Sequence, residues 1–184
     1  PLRPEAASVL HQLHKLGIRN TVMMTGDSYR TAEAIAKQVG VDQFYAEVLP
    51  EDKANFVQKE KAAGHTVVMI GDGINDSPAL SAADIGIANS GAAIAREIAD
   101  VTIKADSLEE LVFLKTVANA LQHRVSANYR FVLSFNSTLI LLGALGILQP
   151  AASAMLHNLS TLGISLKSMT NLVQTPSSVP QIAK

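Results

Sequence analysis

Short apolar runs alternate with amphipathic segments through the first hundred residues of the chain. Five apolar runs have the length of buried β-strands: 18–24, 44–48, 66–70, 85–88 and 101–103. Four segments before or between these runs carry apolar residues at helical spacing: 9–16, 31–39, 51–63 and 92–99. Strands that alternate with helices of this length predict a parallel α/β sheet with helices on both faces.

The second part of the chain has a different pattern, because residues 131–166 contain no Asp, Glu, Lys or Arg. As a helix, residues 131–148 would extend about 27 Å, close to the roughly 30 Å of a bilayer's hydrocarbon core. Gln149 and Pro150 then break the helix, and a weaker apolar segment continues to about residue 173. Two buried helices of a soluble protein would require more surrounding mass than 184 residues supply. The pattern therefore predicts a hairpin of two transmembrane helices and a lipid bilayer as partner.

Basic residues flank this apolar hairpin at both ends. Arg124 and Arg130 precede the first predicted span, and Lys167 and Lys184 lie at the C-terminal end of the second. The positive-inside tendency places both ends in the cytoplasm, so we expect a multi-pass cell-membrane protein with residues 1–130 cytoplasmic. Residue 1 is Pro and no signal peptide follows, which we interpret as a fragment of a longer polypeptide.

Composition narrows the possible chemistry. The 15 basic and 16 acidic residues leave a net charge of −1, so no overall basic field attracts nucleic acid, and we expect none as a partner. The chain has no Cys, which excludes disulfides, thiolate metal sites and a cysteine nucleophile.

Two polar loops directly follow predicted strands. Thr-Gly-Asp-Ser occupies positions 25–28, and Gly-Asp-Gly-Ile-Asn-Asp occupies positions 71–76. In an open α/β sheet, ligand-binding loops lie at the carboxyl ends of the strands, so both loops can converge on one edge. The second loop places two carboxylates and an amide oxygen close together, which favours a hard cation, Mg²⁺ above all.

These loops hold the groups that phosphoryl transfer requires, namely a hydroxyl donor, a fixed cation and a metal. We expect Thr25 to donate its hydroxyl to a phosphate and Lys53 to act as a cation from the first turn of its helix. Asp72 would hold Mg²⁺, with Asp76 beside it. Each residue alone is an ordinary turn or surface residue; their order on successive strand ends carries the prediction.

Three strings resemble a known family: Met-Thr-Gly-Asp at 24–27, Pro-Glu-Asp-Lys at 50–53 and Gly-Asp-Gly-Ile-Asn-Asp-Ser-Pro-Ala-Leu at 71–80. They are similar to the phosphorylation domain of P-type cation-transporting ATPases, members of the haloacid dehalogenase-like superfamily. Two membrane segments after this domain resemble the heavy-metal, or P1B-type, subgroup. The resemblance implies a Rossmann-like haloacid dehalogenase fold, ATP as substrate and Mg²⁺ as cofactor.

The resemblance also implies roles for individual residues. It makes Thr25, Lys53, Asp72 and Asp76 catalytic, with Asp72 and Asp76 at Mg²⁺. It associates a second set with phosphate or nucleotide: Gly26, Asp27, Gly73 and Asn75.

The resemblance divides the chain into four parts. Residues 1–106 are the C-terminal part of the phosphorylation domain, 107–130 a connecting helix, 131–174 two transmembrane helices and 175–184 a cytoplasmic tail. The Asp-Lys-Thr-Gly-Thr acceptor motif of the family does not occur in the 184 residues. We therefore expect an inactive fragment of a metal-translocating ATPase whose other partner is the rest of the same pump.

The predicted hairpin carries candidates for the transported metal. His157 is an imidazole within an uncharged segment, where ionisable groups are costly unless they serve a site. Imidazole suits transition metals better than calcium or magnesium. An interfacial, hydrated His157 explains the sequence equally well. Asn136, Ser160 and Thr161 are further candidates, or they bond neighbouring helices.

Two other functions fit parts of this pattern. A membrane-tethered haloacid dehalogenase-like phosphatase would require a nucleophilic Asp on an earlier strand, and no Asp precedes Thr25. A noncatalytic Mg²⁺-binding regulatory module of the receiver type would carry its acidic pair early and its Lys late, whereas here the order is reversed.

Overall fold

The computed structural model describes residues 2–71, 74–88, 97–103 and 107–172. The chain forms two compact units, Pro1–Lys115 and Thr116–Lys184. In chain order the elements are α1 (Ala6–Lys15), β1 (Val22–Met24), α2 (Tyr29–Val39), β2 (Gln43–Tyr45), α3 (Pro50–Ala62), β3 (Val68–Gly71), a 3₁₀ turn (Ile74–Asp76), α4 (Ser77–Ala82), β4 (Ile85–Ala88), β5 (Val101–Thr102), α5 (Glu109–Ala144) and α6 (Pro150–Ser168).

The strands of the first unit are all parallel to their neighbours, as predicted. Strand β1 pairs with β2, and β4 lies between β3 and β5. The described residues thus form two sheets, of two and three strands, rather than the single expected sheet. The predicted helix at 92–99 falls mostly outside the described residues.

The first predicted strand is shorter than its apolar run. Gly17 adopts a left-handed φ of 100°, and the N–H of Ile18 donates to the carbonyl of Leu13 at 3.1 Å. This arrangement closes the C-terminus of α1 and places the apolar Ile18 against that helix end. Strand β1 therefore begins at Val22 rather than at residue 18.

Two apolar clusters hold the first unit together. In one, α3 and α4 contribute Val57 and Leu80, which pack with Met69 of β3, and Met24 of β1 packs against them. In the other, Ile87 and Ile103 contact Leu111 near the start of α5. Because Met24 and Met69 reach the same cluster, strands β1 and β3 both pack against one apolar core.

The second unit contains the later part of α5 and helix α6. After α5 ends at Ala144, Gly146 adopts a φ of 71° and the N–H of Ile147 donates to the carbonyl of Leu142 at 3.0 Å. Pro150 then opens α6, where its missing N–H costs no hydrogen bond.

Among the described residues, no helix is both long enough and apolar enough to cross a membrane. The predicted transmembrane hairpin is therefore not confirmed. Helix α5 stops at Ala144, so the apolar run 131–148 is not one helix. Its helical part also contains Ser134, Asn136 and Thr138, which lower its mean hydropathy.

Candidate functional site

The loop after β1 is fixed by backbone hydrogen bonds to the chain that leads into α3. The N–H of Thr25 donates to the carbonyl of Tyr45, and the N–H of Val48 donates to the carbonyl of Thr25, each at 3.0 Å. Helix α3 begins two residues after Val48, with Pro50 as its first residue. The backbone of Thr25 therefore lies beside the chain entering the helix that carries Lys53.

The Thr25 hydroxyl makes a local turn with Asp27. It donates to Oδ2 of Asp27 at 3.0 Å and accepts the N–H of Asp27 at 3.1 Å. Thr25 is half-buried, whereas Gly26 and Asp27 are exposed. The turn thus places the Thr25 hydroxyl, bonded to Asp27, at the carboxyl end of β1.

Lys53 and Asp76 form an ion pair that the sequence does not indicate. The Nζ of Lys53 lies 2.7 Å from Oδ1 of Asp76, and their side chains are only 16% and 12% exposed. Lys53 lies in the first turn of α3, and Asp76 ends the 3₁₀ turn after β3. A charge-assisted hydrogen bond of this length fixes both groups, because either charge alone would be costly to bury.

Gly71 leaves the space that Asp76 occupies. A Cβ atom at position 71 would lie 2.6 Å from the Cβ of Asp76 and 2.9 Å from its Oδ2. Any side chain at this position would therefore displace the carboxylate that holds Lys53. Gly71 was predicted only as part of a turn, and the close approach gives it a steric role.

Helix α3 is held at its N-terminus by its own acidic residue. The carboxylate Oδ2 of Asp52 accepts the N–H of Leu49 at 3.2 Å. Pro50 at the first helical position and acidic side chains in the first turn also favour a helix start here. These local interactions fix the turn from which Lys53 reaches Asp76.

The structure describes only part of the predicted Mg²⁺ site. Asp72 and Gly73 lie outside the described residues, and Asn75 is exposed. No group of three or more His, Asp or Glu side chains within the described ranges could hold a metal ion. The Asp76 carboxylate bonds to the ammonium of Lys53. Its geometry therefore suits a role in positioning Lys53 at least as well as a role in coordinating Mg²⁺ directly.

One buried polar group was missed by the sequence analysis. The Oγ of Ser77, directly after Asp76, is buried without a hydrogen-bond partner in the part of the chain that the structure describes. A serine at the first position of a helix is ordinary, so no sequence signal distinguishes it.

The second unit brings two predicted metal candidates together. Nδ1 of His157 on α6 lies 2.9 Å from Oδ1 of Asn136 on α5. With the amide oxygen as acceptor, Nδ1 carries the proton and Nε2 keeps its lone pair in the neutral ring. Ser160 and Thr161 instead donate their hydroxyls to the carbonyl of His157, at 2.8 and 3.0 Å.

Comparison with known proteins identifies a matching family and several similar proteins. Residues 1–84 match the haloacid dehalogenase-like hydrolase family. The chain is 42% identical over 165 residues to the zinc-exporting P-type ATPase of Mycobacterium marinum, covering 89% of this chain and 22% of that protein. It is 41% identical over 165 residues to the manganese-exporting P-type ATPase of Mycobacterium leprae, covering 89% and 23%.

Further relatives include the probable copper-importing P-type ATPase A of Enterococcus hirae, 39% identical over 172 residues, which cover 92% of this chain and 24% of that protein. The crystal structure of a zinc-transporting PIB-type ATPase in its E2.Pi state superposes with a TM-score of 0.81 and 34% identity, covering 91% of this chain and 28% of that one. The chain thus spans about a quarter of the length of the relatives it matches.

Proposed function

Because the chain belongs with the heavy-metal-transporting P-type ATPases and carries a haloacid dehalogenase-like domain, we propose that it is the phosphate-handling part and the last helical hairpin of an ATP-driven metal pump. The observation that carries this proposal is the Lys53–Asp76 ion pair, which lies at the carboxyl end of β3, with the backbone of the Thr25 loop beside the chain entering α3.

In this proposal the two loops bind one phosphoryl group. Thr25 exchanges its bond to Asp27 for one to a phosphoryl oxygen, since a phosphate oxygen is a strong acceptor. Lys53 directs its charge at the same group while Asp76 fixes its position. Asp72 would hold Mg²⁺, which neutralises charge that develops on the phosphoryl oxygens.

The covalent acceptor is proposed to come from a strand outside these 184 residues. Strands β1 and β3 each have a neighbour on one side only within the described residues, and Val68 and Ile70 of β3 are exposed hydrophobic residues. A further parallel strand can pair with such an open edge. Because no Asp-Lys-Thr-Gly-Thr string occurs in this chain, we expect that alone it forms no acylphosphate from ATP.

Helices α5 and α6 are proposed to lie in the membrane-embedded part of the longer protein. Residues 131–166 carry no Asp, Glu, Lys or Arg, and large apolar side chains along both helices are exposed. In water such a surface is unfavourable, whereas lipid or neighbouring helices would cover it.

The native chain has no Cys, so single cysteines can test this placement. When the chain is reconstituted in vesicles, the thiol of Leu141→Cys should not react with a membrane-impermeant maleimide. The thiol of Gln122→Cys, also at an exposed position of α5, should react. Equal labelling of both variants would refute the membrane placement.

The cargo is proposed to be a transition-metal cation held in part by His157 and Asn136. Their 2.9 Å contact joins α5 to α6 within the second unit and orients the imidazole. The relatives include a zinc exporter, a manganese exporter and a probable copper importer, and an imidazole nitrogen suits this group of ions.

A chimera tests the proposed activity. This chain would replace the matching 165 residues of the Mycobacterium marinum zinc exporter, and ATP hydrolysis with and without added metal would be measured. We expect metal-stimulated hydrolysis that Lys53→Ala abolishes. Lys59→Ala is the matched control, because Lys59 is an exposed lysine of the same helix. An active chimera that is indifferent to Lys53→Ala would refute the proposed role.

A further inference from the structure

The second unit combines apolar surface with purely positive charge. Residues 116–184 contain Arg124, Arg130, Lys167 and Lys184 and no acidic residue, because Glu110 is the last acidic residue of the chain. Lys167 lies near the C-terminus of α6, after the uncharged stretch. It has no acidic side chain in its own unit with which to pair.

A groove of about 280 Å³ lies between α5 and α6 beside Lys167. Phe131, Gly163 and Ile164 provide its apolar lining, and Asn128, Ser160 and Lys167 its polar lining. Gly163 lines the groove, and a Cβ atom there would meet no other atom within 4 Å, so a larger side chain has room to occupy this space. The exposed side chains of Leu159 and Leu166 extend the apolar surface along α6.

The other groups at this end of the hairpin are engaged with the protein. The guanidinium of Arg124 donates to the carbonyls of Thr170 and Asn171 at 2.6 and 3.0 Å, beyond the last turn of α6. Asn128 donates its Nδ2 to Oγ of Ser168 at 3.1 Å. These bonds fix the end of the hairpin, and Lys167 is the cation that lines the groove among the described residues.

We propose that this groove binds one anionic phospholipid, with an acyl chain against Phe131, Gly163 and Ile164 and the phosphate at Lys167. An acyl chain is narrow enough to lie in a groove between two helices. A phosphate matches the positive charge at the end of the apolar lining. This inference deepens the proposed membrane placement and rests on it.

Native mass spectrometry of the full chain, released from nanodiscs, tests the proposal. The nanodiscs would contain equal amounts of palmitoyl-oleoyl phosphatidylglycerol and palmitoyl-oleoyl phosphatidylcholine. We expect one retained phosphatidylglycerol per chain. Gly163→Leu should fill the groove, and Lys167→Gln should remove the charge, each weakening retention about tenfold or more.

Matched controls lie outside the groove. Gly143→Leu adds the same side chain at an equally open glycine of α5, and Arg130→Gln removes a charge whose Nε donates to the carbonyl of Ser126 on the same helix. Both should retain the lipid as the unmodified chain does.

Three results would overturn the inference, and they separate it from the membrane placement. Equal retention of the two lipids, or lipid binding that is indifferent to Gly163→Leu, refutes the groove while leaving the membrane placement intact. A dimer mass that Gly163→Leu abolishes shows a second copy in the groove instead. Failure of the chain to enter nanodiscs of either lipid refutes both proposals.

Discussion

Breaking the Lys53–Asp76 ion pair should destabilise the first unit more than removing both charges together. Asp76→Leu leaves the ammonium of Lys53 without its partner, and Lys53→Met leaves the carboxylate of Asp76 without its own. The two side chains are only 16% and 12% exposed, so water replaces the lost partner poorly. We expect each single change to cost about 3 kcal/mol, the lower end for a buried ion pair with one partner removed.

The double variant Lys53→Met with Asp76→Leu supplies the comparison. It removes both charges and keeps an apolar volume, so it should unfold at nearly the free energy of the unmodified chain. Because two single costs of about 3 kcal/mol each would both disappear in the double variant, the coupling energy between the two positions should be about 6 kcal/mol. Lys59→Met on the same helix is the control and should change stability by less than about 0.5 kcal/mol.

Hydrogen exchange at the amides of α3 and α4 is the appropriate assay, because it reports opening of these helices without requiring the two units to unfold together. Protection should fall by about a hundredfold in each single variant, since every 1.4 kcal/mol is a factor of ten. Additive single effects with no coupling would show that the 2.7 Å contact does not join the two charges in solution.

Three other changes follow from the same contacts. Gly71→Ala should lower metal-stimulated ATP hydrolysis of the chimera at least about tenfold, because its Cβ would meet Asp76 at 2.6 Å. The control Gly64→Ala, whose Cβ meets nothing within 4 Å, should leave activity intact, although the left-handed φ of 86° costs some stability. Equal losses of activity in the two variants would contradict the steric argument. His157→Ala and Asn136→Ala should each reduce metal stimulation, whereas Ser153→Ala, on α6 but outside this contact, should not; stimulation unchanged in His157→Ala would remove the imidazole as a ligand. The hydroxyl and N–H of Thr21 lower the pKa of Asp42 below 3.8, so the folded state gains stability that is present above that pH and is lost as pH falls through the folded pKa. Thr21→Val should therefore make the free energy of unfolding depend less steeply on pH below 3.8. An unchanged slope would contradict this.

The apolar pattern was sufficient to predict the parallel α/β fold. Strand β4 occupies the predicted run, Ile85–Ala88, because four consecutive apolar or small residues follow Asp84. The strand predicted at 18–24 was too long, since Ile18 bonds back to the end of α1 after the left-handed Gly17. Hydropathy alone does not distinguish an apolar residue in a strand from one that closes a helix.

The limits of the sequence are clearest where distant segments meet. Lys53 and Asp76 were both predicted at the site, but they are separated by 23 positions, and only the passage of α3 past the end of β3 brings them within 2.7 Å. The division into two sheets was likewise not predicted, because strand pairing depends on which edges meet. The end of α5 before residue 148 was missed because Gly146 acts as a helix stop.

The most direct test of the account is an amide and side-chain NMR titration of the 184-residue chain with inorganic phosphate in the presence of Mg²⁺. We predict saturable shifts at the amides of Thr25 and Gly26 and at the Nζ of Lys53, all with one dissociation constant. Asp42 and Thr21, which lie before the strands rather than at their carboxyl ends, should not shift. Shifts at Thr25 and Lys53 with different midpoints, or no shift at either, would contradict the claim that the two loops bind one phosphoryl group.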